Sequence, residues 1–365
     1  MYDAHGRNAG SKRSPQYGGS QGSALLCIVS FRPRLDSRRV PPSPGARAPH
    51  HGLIPRPPAV PELDAVRIQF GPQSLLLLNV SLSLIMFGVA LNLTVDDFRR
   101  VVADPTAALV GVTAQFLVLP ALTCGLVGLL QPRPSIALGM MLVAACPGGN
   151  ISNFMSMNAK GHTALSVTLT ALSTVAAVVL TPLNVAFWAG LYPPAAALLT
   201  TVDISFWHVF KTVALILGGP LALGMSVRHL APDRAKRLSH GMQLLSLALF
   251  AGIVGGALWS NAQYLMGYLG DVFDLVLVHN ACALTAGYLL ARGARLPVPS
   301  RRTLALETGI QNSGLGLILI FNFFDGLGGM ALVAAWWGVW HIVSGLALSF
   351  YWRSRPSVLV SVENP

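Results

Sequence analysis

The sequence predicts an all-α polytopic membrane protein with about nine transmembrane helices. Of its 365 residues, 53% are hydrophobic and only 11% are charged, and the mean hydropathy is +0.58. A soluble globular domain carries about 25% charged residues. Several uncharged apolar stretches also reach the roughly 20 residues that a helix needs to cross the hydrocarbon core of a bilayer. The lipid bilayer is therefore the first partner that the composition predicts.

Nine apolar segments support the predicted number of helices. They run approximately over residues 73–93, 106–130, 135–157, 163–191, 204–227, 241–263, 272–291, 303–324 and 327–352. Basic residues in the connecting loops set the orientation of such helices. Thirteen lysines and arginines lie in the odd-numbered loops and the C-terminus, whereas the even-numbered loops contain only Arg133. This asymmetry predicts a cytoplasmic C-terminus and, with nine helices, an N-terminus outside.

Residues 1–70 differ in composition from the rest of the chain. They are rich in Pro, Arg, Gly and Ser, and their one apolar piece, residues 24–31, is too short to span a bilayer. Such a segment cannot bury enough apolar surface to fold, so we expect a disordered tail. The predicted organisation is this tail, a membrane domain over residues 71–355, and a short C-terminal tail over residues 356–365.

The net charge of +11 is concentrated rather than spread over a surface. Ten of the 25 lysines and arginines lie in the first 70 residues, and most of the others lie in the short loops. In a soluble protein this charge would suggest nucleic acid as a partner. We interpret it as a basic tail plus topology charges, and expect no nucleic-acid partner. The four cysteines are scattered and lack the spacing of a disulfide framework or a zinc site.

Two of the apolar segments, the third and the eighth, contain residues that interrupt a membrane helix. The third contains ACPGGNISN at residues 145–153, and the eighth contains ETGIQNSGLG at residues 307–316. Unwound backbone is tolerated at membrane depth only where protein, water or an ion satisfies its polar groups. Two broken helices in separated halves of a chain are typical of transporters built from inverted repeats, with a binding site near the midplane.

Glu307 is the one glutamate that lies inside an apolar segment. Burying an unpaired carboxylate costs several kcal/mol, so an intramembrane carboxylate indicates a functional site. One alternative stays open at this stage. Arg301 and Arg302 lie about 8 Å away along the helix at 1.5 Å per residue, and a structural ion pair would also explain the glutamate.

Further oxygen donors lie close to the two interruptions. They are Ser152 and Asn153 at the first, Ser166 and Thr170 one turn apart on the next helix, Gln311 and Asn312 at the second, and Gln115 in the second segment. Hydroxyls, amide carbonyls and one carboxylate are hard ligands, which favour a hard cation such as sodium. Each residue alone has a simpler explanation, a hydrogen bond within or between helices.

Three other functions have weaker support in the sequence. Cys146–Pro147 would fit a soft-metal pump, but no cluster of sulfur ligands accompanies it. A membrane-embedded enzyme would need a nucleophile–base pair or an HExxH motif, and the sequence contains no HExxH. A sensor or channel built on a transporter fold stays open as an alternative. His341 is by itself a packing residue or part of a substrate pocket.

Several motifs, in order and spacing, resemble those of the bile acid:sodium symporter family. The two signature regions are CPGGNISNFMSMNAKGHTALSVTLTALSTVAAVVLTPL and LETGIQNSGL, and the shorter matches are IMFGVALNLTVDDFRR, AQFLVLPAL, VLVHN and WHIVSG. The resemblance extends over about residues 72–352 and leaves the tail outside. The chain is similar to a bacterial member in its nine-helix variant.

The resemblance implies a fold and two sodium sites. The fold has a panel domain and a core domain of two inverted repeats, with two discontinuous helices that cross at the sites. One sodium ion would bind Ser152, Asn153, Ser166, Thr170 and Glu307. The other would bind Gln115, Glu307 and Gln311 together with main-chain oxygens of Thr308 and Ile310. Glu307 would thus bridge two cations, which would offset the cost of its burial.

The resemblance also implies a sodium-coupled symporter of an organic anion that works by alternating access in the cell (inner) membrane. Asn150 and Asn312, at the starts of two half-helices, and His341 would face the anion. Ile342 stands where the family usually has an asparagine, which bears on substrate identity. Bile acids and small carboxylates such as pantoate or a 2-oxoacid are the candidate substrates. The oligomeric state is not predicted.

The basic tail leads to the first prediction. An external tail with ten basic residues contradicts the orientation rule that the loops obey. We therefore expect the native polypeptide to start nearer Pro61. Intact-mass or N-terminal sequencing of protein purified from its native source checks this, and an N-terminus close to Met1 would refute it.

Overall fold

A computed structural model describes residues 63–68, 72–97, 99, 105–201, 206–260, 262 and 266–355. In these ranges the regular structure is helical, and the strand-like pairings are two isolated bridges, Arg67 with Leu327 and Gly148 with Gln311. The all-α prediction is confirmed for this part of the chain. The C-terminal tail and all but residues 63–68 of the predicted N-terminal tail lie outside the described residues.

The first half of the described chain contains six α-helices and one π-helical segment, in which the helix is wider than an α-helix. They are α1 (Pro72–Ala90), α2 (Pro105–Thr113), a π-helical segment (Ala114–Val118), α3 (Leu119–Leu130), α4 (Pro134–Ala145), α5 (Ile151–Asn158) and α6 (Thr163–Gly190). The π-helical segment joins α2 and α3 into one continuous helix. Pro120 explains its position, because it has no N–H to donate to the carbonyl four residues earlier, and the ladder widens there.

The second half repeats this mixture of long and short helices. It contains α7 (Pro193–Thr201), α8 (Phe206–Val213), a second π-helical segment (Ala214–Gly218), α9 (Gly219–Leu230), α10 (Pro232–Ser260), a 3₁₀ turn (Met266–Tyr268), α11 (Leu269–Gly293), α12 (Val298–Gly309), α13 (Ser313–Phe323) and α14 (Gly328–Arg353). A proline opens α4, α7 and α10, at positions where a missing N–H costs nothing.

Six stretches of the described chain are long and apolar enough to cross a membrane. They are Gln73–Ala90, Pro105–Leu130, Thr163–Gly190, Phe210–Leu230, Met266–Gly293 and Gly328–Arg353. These coincide with the first, second, fourth, fifth, seventh and ninth predicted segments. The protein is therefore a multi-pass membrane protein.

The other three predicted segments differ from simple spans. The third and eighth are each divided into two short helices, α4 with α5 and α12 with α13, at the predicted interruptions. The sixth overlaps α10, which begins at Pro232 instead of residue 241 and ends at Ser260. The short helix α7 was not predicted. The number of nine transmembrane helices stays a prediction.

The helices form two packing groups. In one, α1 packs mainly against α9 and α10. In the other, α4 to α6 and α11 to α14 pack against each other. The centre of the second group is α4, in which every residue from Ser135 to Ala145 is buried. A helix that is apolar all round belongs in such a position, since it has no face suited to water.

Residues 63–68 attach to this second group. Ile68 N donates to Gly326 O at 2.8 Å, and Arg67 forms its bridge to Leu327. The Asp64 carboxylate accepts a hydrogen bond from Ser135 N at 2.9 Å and so satisfies one of the free N–H groups at the start of α4.

The close contact between α4 and α14 supports a prediction. A Cβ atom on Gly139 would lie 2.8 Å from the Met330 Cα atom, whereas a Cβ on Gly125 in α3 would meet nothing within 4 Å. We expect Gly139→Val to lower the thermal unfolding midpoint in detergent by several degrees, on the order of 5 °C, through overpacking. Gly125→Val is the matched control and should change it little. Equal effects of the two variants would contradict this description of the core.

Candidate functional site

The two helix interruptions meet each other. The first break, residues 146–150, separates α4 from α5, and the second break, residues 310–312, separates α12 from α13. Gly148 and Gln311 pair as an antiparallel bridge. The predicted interruptions are thus real breaks in the helices, and they lie side by side.

Main-chain groups of one break bind those of the other. Gly149 N donates to Ile310 O, and Asn312 N donates to Pro147 O, both at 2.8 Å. Two carbonyls and two N–H groups that would otherwise be unpaired at membrane depth are satisfied in this way. Each break therefore depends on the other.

Side chains from neighbouring helices satisfy further carbonyls at the break. Thr181 Oγ1 donates to Ala145 O at 2.7 Å, Gln115 Nε2 to Cys146 O at 2.8 Å, and Asn280 Nδ2 to Gly309 O at 2.7 Å. These bonds fix the π-helical segment, α6 and α11 relative to the breaks, because a buried carbonyl left without a donor would cost free energy.

The Glu307 carboxylate lies next to the paired breaks, on α12. It is 5% exposed and accepts hydrogen bonds from three hydroxyls. Ser152 Oγ is 2.5 Å from Oε1, Thr170 Oγ1 is 3.1 Å from Oε2, and Ser166 Oγ also binds Oε1. Ser152 comes from α5, and Ser166 and Thr170 come from one face of α6. Three helices therefore converge on one carboxylate.

Asn153 completes this group through Thr170. The Thr170 hydroxyl is 3.3 Å from Asn153 Oδ1. All five residues predicted for the first sodium site, Ser152, Asn153, Ser166, Thr170 and Glu307, therefore lie together. Every polar group in the set is a hydroxyl, an amide or a carboxylate, as a hard cation requires.

The alternative explanation of Glu307, an ion pair with a neighbouring arginine, does not match the contacts. Both arginines bind main-chain oxygens instead, Arg301 that of Leu296 at 2.6 Å and Arg302 those of Ala159 at 2.8 Å and Trp352 at 3.3 Å. Ala159 and Trp352 lie at the C-terminal ends of α5 and α14, where a positive charge is stabilised by the helix dipole. Arg302 thus holds two helix ends and leaves Glu307 to the hydroxyls.

The residues predicted for the second sodium site are joined by amide hydrogen bonds. Gln115 Nε2 donates to Gln311 Oε1 at 2.7 Å, and Gln311 Nε2 donates to Thr308 O at 2.7 Å. Ile310 O accepts the bond from Gly149 N described above. The set lies together, but three of its expected ligand oxygens already accept hydrogen bonds.

A small cavity opens beside Glu307. The centre of a water-sized sphere can occupy about 10 Å³ of this cavity. The cavity therefore has room for roughly one water molecule or a small ion. The lining residues come from α2, α6, α12 and the π-helical segment: Gly111, Val112, Gln115, Leu169, Ser173 and Glu307. The polar side chains of the lining, Gln115, Ser173 and Glu307, all offer oxygen atoms.

The three residues predicted to face the substrate lie around the same breaks. Asn150 precedes α5, and its side chain does not cap that helix. Asn312 caps α13, because its Oδ1 accepts a hydrogen bond from Leu315 N at 3.0 Å. His341 is buried on α14. It follows Gly338 by about one turn, and a Cβ atom placed on Gly338 would lie 2.8 Å from the Ser313 hydroxyl oxygen at the start of α13.

Ile342, the departure from the family pattern, belongs to an apolar cluster. It packs against a buried cluster that contains Met155 of α5, Ile310 of the second break and Leu306 of α12. An asparagine at this position would place a polar amide against these side chains. The isoleucine thus adds apolar contact where the family pattern would have put a polar group.

Two residues at the site were not singled out from the sequence. Asn280 donates to Gly309 O and accepts from Ser344 Oγ at 2.6 Å, which ties α11, α12 and α14 together. Ser173 lines the cavity beside Glu307. Both carried a signal: Asn280 is an amide in an apolar segment, and Ser173 follows Thr170 by three residues on the same helix face.

Comparisons with known proteins identify the family of this chain. The model of the sodium bile acid symporter family matches residues 79–268. The chain is 34% identical over 76% of its length to an uncharacterized sodium-dependent transporter, YocS, of Bacillus subtilis, of which it covers 83%. It is 34% identical over 77% of its length to a probable chloroplastic sodium/metabolite cotransporter, BASS1, of Arabidopsis thaliana, of which it covers 68%.

A human relative extends the range of the comparison. The chain is 28% identical over 65% of its length to the ileal sodium/bile acid cotransporter of Homo sapiens, of which it covers 67%. The names of these relatives are those of transporters and not of enzymes. The family match covers more than half of the sequence, and the Bacillus protein aligns over most of its own length. This chain belongs to the sodium bile acid symporter family.

Proposed function

We propose that the protein is a sodium-coupled secondary transporter that carries an organic anion across the cell (inner) membrane by alternating access, with its C-terminus in the cytoplasm. The observation that supports this most strongly is the buried Glu307 carboxylate among three hydroxyls at the paired helix breaks. The sodium-dependent relatives point in the same direction.

A cation explains the Glu307 environment better than hydrogen bonds alone. Hydroxyl donors stabilise a carboxylate, but the cost of removing a full charge from water is several kcal/mol and calls for an opposite charge. Arg301 and Arg302 bind elsewhere. A sodium ion would supply this charge, and Ser152, Ser166 and Thr170 would turn their hydroxyl hydrogens away and present lone pairs to it.

We assign two sodium ions to the site. One would bind the hydroxyl-rich side of Glu307 with Ser152, Asn153, Ser166 and Thr170. The other would bind Gln115, Glu307 and Gln311 with the carbonyls of Thr308 and Ile310. Binding of this second ion would have to replace the amide hydrogen bonds on Gln311 Oε1 and Thr308 O. Its affinity is thereby linked to the geometry of the breaks.

The anion would bind where the half-helices α5 and α13 begin. The N-terminus of a helix favours negative charge, and Asn150 and Asn312 stand at these two positions. His341 would contribute to the same pocket. A carboxylate is the group that this arrangement suits, and a bile acid, pantoate or a 2-oxoacid would each present one.

Alternating access requires two bodies that move against each other. We assign the group of α1, α9 and α10 to the panel and the group that carries the breaks to the core. Asn79 of α1 and Asn322 of α13 exchange amide hydrogen bonds of 3.0 and 2.8 Å across this boundary. A movement of core against panel would have to break this pair.

The first test concerns Glu307. In proteoliposomes with an inward sodium gradient, we expect the wild type to accumulate at least one of radiolabelled taurocholate, pantoate and pyruvate. Glu307→Ala should reduce this uptake to the level seen with a potassium gradient, because both proposed ions lose their carboxylate. Asp271→Asn, which neutralises a carboxylate with a side-chain exposure of 52%, is the control and should transport normally. Wild-type uptake by Glu307→Ala protein at equal membrane abundance would refute the proposal.

The second test concerns the boundary between the two groups. In a background without other cysteines, Asn79→Cys and Asn322→Cys are introduced together and cross-linked with a short thiol reagent. We expect cross-linking to stop sodium-driven uptake and a reductant to restore it, because α1 and α13 can then separate again. Each single cysteine variant, treated alike, should keep its activity. Undiminished uptake by fully cross-linked protein would contradict the assignment of panel and core.

A further inference from the structure

We propose that the Ser173 hydroxyl is an additional cation ligand, acting with Glu307 Oε2 and Gln115 in the small cavity between α2 and α6. This inference rests on the proposed sodium coupling and deepens it, because Ser173 belongs to neither of the two ligand sets that the family resemblance implies.

The two oxygens of Glu307 are in different surroundings. Oε1 accepts from the Ser152 and Ser166 hydroxyls and has a longer contact of 3.3 Å to Thr170. Oε2 accepts from Thr170 alone among these donors, at 3.1 Å. Oε2 therefore keeps more of its capacity to bind a cation than Oε1 does.

Gly148 shows that Ser173 lies on the Oε2 side. A Cβ atom placed on Gly148 would be 3.0 Å from Glu307 Oε2 and 3.8 Å from Ser173 Oγ. Both oxygens therefore lie within 4 Å of one point, in the space that this glycine leaves open. Both residues line the cavity, whose size suits roughly one water molecule or a small cation.

The hydrogen bonds at the cavity leave suitable lone pairs. Ser173 Oγ uses its hydrogen in a bond to Thr170 O at 3.1 Å, which leaves the oxygen as an acceptor. Gln115 uses its amide NH₂ group in bonds to Cys146 O and Gln311 Oε1, which leaves its own Oε1 for a cation. One carboxylate and two neutral oxygens together suit a hard monovalent ion.

The neighbouring residue provides a matched control. Thr174 is buried like Ser173, and its hydroxyl donates to the same carbonyl, Thr170 O, at 2.7 Å. Thr174 does not line the cavity. Removing either hydroxyl deletes one bond to Thr170 O, but only the loss of Ser173 would remove an oxygen from the cation.

The test measures sodium binding without any transported anion. Purified wild type, Ser173→Ala, Ser173→Thr and Thr174→Val are unfolded thermally in detergent over a series of NaCl concentrations, with choline chloride holding the ionic strength constant. Since a ligand that binds the folded state raises the midpoint in proportion to ln(1 + [L]/Kd), a fit of this relation to the series gives the NaCl concentration at which half of the sites are filled. We expect Ser173→Ala to raise this concentration by about three- to tenfold, as the loss of one neutral oxygen contact predicts. Thr174→Val should leave it unchanged, and Ser173→Thr, which keeps the hydroxyl, should stay within about twofold of the wild type.

The outcomes separate this inference from the proposed function. If the wild type shows no stabilisation specific to sodium, the proposed sodium coupling fails. If the wild type responds but Ser173→Ala responds equally, Ser173 is not a ligand. An equal shift in Ser173→Ala and Thr174→Val would also overturn the inference, because both effects would then come from the lost bond to Thr170 O. Midpoints in choline chloride alone show whether each variant is folded.

Discussion

The arrangement of the whole site depends on the burial of one carboxylate. Glu307 is 5% exposed in a chain that crosses a membrane, and the free energy of an isolated charge there is high. Three hydroxyls from α5 and α6 bind it, and these helices can reach it only because α4 and α12 end where they do. The breaks, the polar face of α6 and the placement of Gln115 therefore serve the same requirement.

The breaks are stable because they satisfy each other. Unwinding at 146–150 and 310–312 frees main-chain groups that lipid cannot bind. Two reciprocal backbone bonds and the side chains of Gln115, Thr181 and Asn280 take up several of these groups. The glycine at position 148 is required by contact distance, since a Cβ there would lie 3.0 Å from the Glu307 carboxylate. Cys146 is buried beside Gly316 of α13, where a Cβ would be 3.7 Å from its sulfur, and serves packing.

Much of this could be predicted from the sequence, and the parts that could not have a common cause. Long apolar runs predicted the six spans, and Pro, Gly and Asn residues predicted both breaks, because these signals are local in the sequence. The direct pairing of Gly148 with Gln311 joins residues far apart in the chain, which no local pattern encodes. The start of α10 at Pro232 was missed because its first turns are charged and extend beyond the apolar run. Asn280 is an amide in an apolar segment, as Gln115 is, and Ser173 lies three residues after Thr170 on one helix face, so both residues carry a local signal in the sequence.

The family resemblance predicts two sets of sodium ligands, and the two sets have different hydrogen bonds in the structure. Ser152 and Ser166 of the first set bind Glu307 Oε1, whereas Gln311 Oε1 and Thr308 O of the second set accept amide hydrogen bonds. Ile342 packs against the buried cluster that contains Met155 and Ile310, so the proposed substrate pocket would differ from the family pattern next to His341. The proposed function depends above all on the binding of sodium ions by Glu307. Equilibrium binding of ²²Na⁺ to the purified protein tests it most directly. We expect saturable binding of about two ions per chain that unlabelled sodium, but not potassium, displaces, and that Glu307→Ala abolishes. Absence of saturable ²²Na⁺ binding to the folded wild type would contradict it.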